Sequence, residues 1–403
     1  MRRSLVCLLI VGTVVLGVVP AAGAISVRWT GKGGRAFTDV ARGPDGSLYV
    51  AGIDRRSITA AASLRKFEPN GDLRWKREWV PSTHDSANGL GVAVGGDGTV
   101  YLLGVVRAQC EGQGWFIRAY KPDGTLRWKY VTPGWQCAIA EFPTDIDVRK
   151  DLVVVSGFTH GCCGDQFHDG WVTAFSRKLD RRWRANVEPP APTPSGWFDT
   201  AWGVGISGSG DVFASGWAAT SKILNETSPT PGTPIVVKVG PQGTRLWSKR
   251  APVSMPTMFL PVPLGVSGRR VVVAAGVEGK DVSWGSSPTT GWVASYAAGG
   301  ALRWSHRFAG GREEASAPTG VSVDGRGRSW ILGTRRDASD RGTDALVRWY
   351  NPNGSLRDKL RIDRNDRFLR TGGVAALGTG AAATGWVGDQ YRFKGGRLWR
   401  LVG

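Results

Sequence analysis

Histidine and methionine are scarce in this chain, with 4 and 3 respectively among 403 residues, and cysteine occurs only 5 times. So few imidazoles argue against a multi-histidine metal centre. No stretch carries a sustained 3.6-residue apolar period, which excludes a helical fold. No run beyond Val19 approaches the roughly 18 apolar residues of a spanning helix, so no transmembrane segment is expected in the mature chain. Acids are in deficit: 52 Lys and Arg against 33 Asp and Glu leave a net charge of +19. With 41% hydrophobic and 21% charged residues, the composition is that of a globular chain. The abundant residues are glycine, at 58, and tryptophan, at 19.

Met1-Arg2-Arg3 is a short basic start, and Leu5 to Val19 is apolar. Ala22-Gly23-Ala24 has the small-x-small form read by signal peptidase. Residues 1–24 therefore read as a signal peptide and 25–403 as a single mature domain, secreted or otherwise extracytoplasmic. Without Arg2 and Arg3 the charge is +17. Cys7 lies inside the apolar run with no mature start after it, so a lipoprotein anchor is not expected.

Internal repeats set the fold class. Leu90 to Val94 leads through Gly96-Asp97-Gly98 into Val100 to Gly104; Trp115 to Tyr120 then passes through Pro122-Asp123-Gly124 into Leu126-Arg127-Trp128. The glycine closing the second run recurs at Gly52, Gly104, Gly157, Gly216, Gly276, Gly333 and Gly385. A tryptophan recurs in the fourth run at Trp75, Trp128, Trp183, Trp247 and Trp304, with Asp358 in its place in the sixth repeat. Asp-Gly and Asn-Gly between alternating apolar runs are strong hairpin signals, because their turns need positive φ. Seven such units predict an all-β, seven-bladed β-propeller of four-stranded antiparallel blades. The last unit supplies only three strands (Gly373 to Leu377, Ala381 to Trp386, Leu398 to Val402). Val27-Arg28-Trp29 matches the fourth-strand pattern, so the mature N-terminal strand is expected to complete blade seven.

Gly310-Gly311, Thr319 to Asp324, Trp330 to Gly333, and Ala345 to Arg348 running on through Pro352-Asn353-Gly354 resemble the bacterial SBBP-type β-propeller repeat. Pro122 to Trp128 is also similar to the PQQ-like repeats of quinoprotein propellers. The resemblance implies architecture and is nearly silent on chemistry.

Small residues recur on the first strands, as at Gly91 and Ala93, Gly203 and Gly205, and Gly320 and Ser322. They predict close approach of neighbouring blades near the axis. Asp39, Asp145 and Asp147 break that pattern; either they bond to the backbone of the next blade or they hold a cation in the channel. The fourth-strand tryptophans are expected to pack between blades at the rim.

The loops between second and third strands share one face with the blade-to-blade connections, and function concentrates on variable loops of a rigid scaffold. Cys110, Cys137, Cys162 and Cys163 all fall there and read as two disulfides in an exported chain. Three pairings are possible; separate partners are favoured for the adjacent Cys162 and Cys163, and one of them with Cys110 and the other with Cys137 would staple blade two to blade three. His160, Asp165 and His168 form a weaker metal candidate whose spacing fits no standard zinc pattern. Trp135, Trp197 and Trp284 are candidate ligand-stacking residues. Arg335, Arg336, Arg341, Arg367 and Arg392 suggest a positive patch on blades six and seven.

No Ser/His/Asp order or paired-acid motif stands out. The expected function is a non-enzymatic, monomeric binding scaffold without a cofactor. It would use the loop face and a basic surface toward an anionic envelope polymer or another exported protein. Nucleic acid is not expected as a partner in vivo, given export. The competing expectation is a propeller enzyme, a lyase or a quinone-dependent dehydrogenase, working around His160 and His168.

Overall fold

The structure is a computed structural model that describes residues 26–402 except 35, 57–58, 83–85, 109–111, 133–138, 162–168, 190–198, 221–231, 256–259, 278–289, 310–313, 338–342, 363–368, 379 and 389–392. The described residues form 28 strands and no helix. These make seven four-stranded sheets. In six of them the strands are consecutive in sequence; blade one, for example, runs Ala36–Arg42, Leu48–Arg56, Thr59–Phe67 and Leu73–Trp79. Each inner strand contacts the inner strands on both sides of it, so the ring is closed.

Blade seven is composite. Leu369–Ala376, Gly380–Gly388 and Phe393–Val402 are completed by Ser26–Gly33 from the other end of the chain. Ser26 pairs with Val402 and Gly33 with Gly396, antiparallel. The closure expected from Val27-Arg28-Trp29 is the closure the chain adopts.

The recurrent second-strand glycine has a steric cause. In six blades the inner strand carries a bulge opposite it, as between Ala201 and Gly203 opposite Gly216. The bulge drives a carbonyl into the neighbouring strand, and a Cβ on Gly216 would overlap the Thr200 carbonyl oxygen. Threonines at the bulge link blade to blade: Thr38 donates to the Gly89 carbonyl at 3.0 Å, Thr144 to Ala201 at 2.9 Å and Thr319 to Gly372 at 3.1 Å.

The core lies between blades, where apolar faces of adjacent sheets meet. One cluster joins Phe213 and Trp217 of blade four to Val271, Val273 and Trp292 of blade five. The fully enclosed tryptophans are Trp115, Trp171, Trp217, Trp292, Trp330, Trp349 and Trp399, all on middle strands. The fourth-strand tryptophans do pack between blades, as expected, but they are half-buried and also act as clamps. The indole N–H of Trp75 donates to the Pro122 carbonyl of the next blade at 3.0 Å, and those of Trp183 and Trp304 donate to Pro241 and Pro352 at 2.9 and 3.1 Å. Each proline opens a turn whose glycine is covered by the same outer strand, Gly243 by Trp183, Gly354 by Trp304 and Gly124 by the Arg77 guanidinium. At Gly354, φ is +91° and a Cβ would come within 2.7 Å of Trp304. Trp304→Phe, which keeps an aromatic ring and deletes the N–H, is expected to cost about 1 kcal/mol in denaturant unfolding. Trp304→Ala is expected to cost about 2 kcal/mol, below the figure for an enclosed tryptophan, because the ring is only half-buried.

Candidate functional site

Near the axis, the three inner-strand acids bond to backbone. Asp39 Oδ2 accepts the Val92 N–H of blade two at 2.9 Å. Asp145 Oδ2 accepts from Val204 at 2.9 Å and Asp147 Oδ2 from Ile206 at 2.7 Å, both in blade four. The other oxygens of Asp145 and Asp147 take the N–H groups of Ile146 and Val148, both at 2.8 Å. Of the two roles open to these acids, the structure supports the blade-to-blade bond. Among the described residues no group of three or more His, Cys, Asp or Glu is placed to hold a metal.

Burial pushes Asp39 up to about 7 and Asp147 up to about 6, against backbone N–H groups that pull the other way. Asp145 is raised by burial and further by the charge of Asp39. As pH rises above 4 the unfolded chain ionises these groups first; in the fold Asp147 ionises only near pH 6 and Asp39 near pH 7. Their contribution to stability is therefore full below pH 4 and declines until pH 7. Thermal melts should show Asp39→Asn flattening part of that decline.

A second group of acids lies on the loop face between blades three and four. Asp199 opens the inner strand of blade four, opposite Ala218. It is 6% exposed, and among the described residues its Oδ1 has no hydrogen-bond partner. From blade three, Gly170 packs on the Thr200–Ala201 peptide, where a Cβ would lie 3.0 Å from Ala201 N. That contact brings Asp169 alongside Asp199. Val187 N–H donates to Gly170 O at 2.7 Å, which brings Glu188 to the same corner. Arg250, on the outer strand of blade four, donates from Nη1 to Ala219 O and Thr233 Oγ1, both at 3.3 Å. Burial pushes Asp199 up to about 7, opposed by Arg250 and reinforced by Asp169 and Glu188. Asp169 is raised by burial and by Glu188, against Arg184.

The positive charge sits chiefly on the rim. The seven outer strands (Leu73–Trp79, Leu126–Val131, Arg181–Asn186, Arg245–Arg250, Leu302–Ala309, Leu356–Ile362 and Ser26–Gly33) hold eighteen Lys or Arg and two acids, Glu78 and Asp358. Their surplus, 18 − 2 = 16, compares with +19 for the whole chain. Each outer strand bulges near its start. The bulged residue is Arg28, Arg74, Arg127, Arg182, Arg303 or Arg357 in six blades and Leu246 in blade four. All six arginines are exposed.

Of the residues singled out by sequence, Arg335 is half-buried and lies 3.5 Å from the Asp344 carboxylate, which Arg361 also engages. Its charge is thus used within blade six. Arg336 lies at the loop end of the same strand, opposite Thr343. His160 lies at the end of its strand opposite Ala140, next to Thr159, whose N–H bonds to Asp169 O at 3.0 Å. This places His160 by backbone at the root of the Asp199 corner. Trp135, Trp197, Trp284, Arg341, Arg367, Arg392, Asp165, His168, Cys110, Cys137, Cys162 and Cys163 lie outside the described residues, as do residues 1–24. Sequence reasoning missed Asp199, Asp169, Glu188 and the rim. The rim had a signal in the arginine beside the fourth-strand tryptophan of blades one, two, three, five and seven. The corner had none, because blade packing assembles it.

No protein-family model matches the chain, and no curated protein matches its sequence. Among solved structures, a variant of Synechocystis apocarotenoid oxygenase is 10% identical at a TM-score of 0.46, covering 81% of this chain and 71% of that one. The cobalt-substituted form of that oxygenase is 9% identical at 0.47, and a chimera built on it 10% identical at 0.45, each over 82% of this chain and 72% of the other. Similarity at this level carries nothing about substrate or site.

Proposed function

We propose that this chain is an exported propeller of the SBBP repeat type acting as a non-enzymatic binding scaffold. Its cationic rim holds it at anionic cell-envelope polymers, and its loop face is left to engage a ligand or another exported protein. The observation that carries this reading is the surplus of sixteen positive charges on the outer strands. Outer strands are sheet edges, and bulges with charged side chains prevent edge-to-edge pairing. Edge protection works with either sign, however, and this rim uses cations almost alone. Guanidinium groups suit carboxylate and phosphate bidentately, so a ring of exposed arginines fits a polyanion that follows the rim. Individual contacts of this kind are weak and salt-screened, with a Debye length of about 8 Å at physiological ionic strength. Retention would come from their number.

Co-sedimentation of the mature protein with isolated bacterial envelopes, from low to high salt, tests the reading. Binding that falls steeply as salt rises is expected. Absence of binding at every salt concentration would remove the polymer from the account.

A further inference from the structure

The outer strands carry a second feature beside their arginines. Among the described residues, the large apolar side chains that stand in solvent are Val27, Leu73, Leu126, Val131, Leu246, Leu302 and Leu356, each 39 to 53% exposed. All seven lie on outer strands, and all but Val131 occupy the first or second residue of theirs. Single apolar side chains scattered over a surface are ordinary. These are not scattered. Leu73, Leu126, Leu302 and Leu356 pair with Phe67, Tyr120, Tyr296 and Tyr350, the aromatic near the end of the third strand of the same blade, and Val27 pairs with Leu401. Each of the five is followed by the bulged, exposed arginine of its blade. In blade four Leu246 is itself the bulged residue and follows Arg245, and blade three has Arg181 and Arg182 at the two positions.

Third strands run into their turns at the face opposite the variable loops, so the outer strands begin there. Matched positions in a closed ring of like blades lie at one height. Aliphatic side chains from six blades therefore mark out a flat edge, with arginines between them. The turns leading into these strands add Glu68, Asp72, Asp123 and Asp180, fewer than the arginines beside them, so the edge stays positive. A soluble polyanion has use for the guanidinium groups but none for the aliphatics. A second copy of the chain would bring the same arginines and be repelled. A flat surface that is anionic in its outer layer and apolar beneath meets both kinds of side chain, and a bilayer with anionic headgroups is such a surface.

We propose that the turn-side edge of the rim docks the propeller on an anionic lipid bilayer. The proposal rests on the reading of the cationic rim as the attachment surface and adds lipid to the polymers it holds. The arginines engage lipid phosphates, and Leu73, Leu126, Leu246, Leu302 and Leu356 enter the boundary between headgroups and acyl chains. Each insertion is shallow, so binding comes from the blades acting together. The loop face, at the other end of the blades, then points away from the bilayer and is left to a ligand or partner. Salt screens the arginine contacts and leaves the aliphatic ones in place, so part of the binding withstands salt.

Co-sedimentation of the mature protein with vesicles of phosphatidylglycerol and phosphatidylcholine, beside its retention on immobilised dextran sulfate, tests the proposal. Vesicles of phosphatidylcholine alone are expected to bind at least tenfold more weakly than the anionic ones. A variant carrying Leu73→Gln, Leu126→Gln, Leu302→Gln and Leu356→Gln is expected to bind the anionic vesicles at least tenfold more weakly than the parent, with its release from dextran sulfate unchanged. A measurement on the parent alone keeps the test open should that variant not fold: binding to anionic vesicles should persist at the salt concentration that clears dextran sulfate. Vesicle binding that disappears at that same salt concentration, or a folded leucine variant that binds vesicles like the parent, overturns the proposal. Retention on dextran sulfate with no binding to anionic vesicles also overturns it and leaves the polymer reading standing. Vesicle binding that withstands salt, in a protein that dextran sulfate does not hold, would uphold the bilayer and count against the polymer.

Discussion

Gly216→Ala is expected to destabilise the protein by about 3 kcal/mol, at the upper end for a single overpacked methyl. The added Cβ would overlap the Thr200 carbonyl oxygen and also lie within 3.2 Å of Ala201 Cα. Both are backbone atoms, so no side chain can rotate away. The strand must retreat or the bulge between Ala201 and Gly203 must flatten, and either movement displaces Asp199 and Thr200. Gly96→Ala is the matching control: nothing lies within 4 Å of its added Cβ. Denaturant unfolding of both variants checks the pair. An effect on Gly216 no larger than that on Gly96 would contradict the steric account of the recurrent glycine.

Removing residues 26–33 is expected to have a larger effect, on the order of 5 kcal/mol, which approaches the whole stability of many domains. The deletion strips the backbone partners of residues 396–402. It also makes an edge strand of a segment whose Leu398, Trp399 and Leu401 are fully buried. Exposed apolar edges pair with other chains, so size-exclusion chromatography should show aggregates or a shifted oligomer. A peptide of sequence SVRWTGKG added in trans should restore part of the melting temperature. A truncated protein that melts unchanged as a monomer would mean that blade seven stands on three strands.

The architecture was legible because its determinants are local and repeated. A turn needing positive φ writes Asp-Gly or Asn-Gly into blades one, two and six, the bulge writes a glycine into the second strand of six blades, and the indole clamp writes Trp75, Trp183 and Trp304 into the fourth. Blade closure was legible for the same reason, since Val27-Arg28-Trp29 repeats a pattern found elsewhere. Distribution of charge was harder to read. The cluster including Arg335 and Arg336 stands out along the sequence, yet Arg335 is consumed by Asp344. The rim arginines are spread through the chain and become one feature only when the outer strands form a circle. The Asp199 corner was not legible at all. Asp169, Glu188 and Asp199 belong to two blades and meet through the packing of Gly170 on Thr200, which no spacing rule anticipates. The middle-strand tryptophans were hidden for a related reason, because burial depends on the face a strand turns toward its neighbour.

The most direct test of the account sets two groups of arginines against each other. One variant carries Arg74, Arg127, Arg303 and Arg357 replaced by Gln, the other Arg336, Arg341, Arg367 and Arg392. For each, the salt concentration that releases half of the protein from isolated envelopes is measured beside the parent. The account predicts that the rim variant is released at clearly lower salt, while the loop-face variant follows the parent. Release of the loop-face variant at lower salt, with the rim variant unchanged, would contradict it.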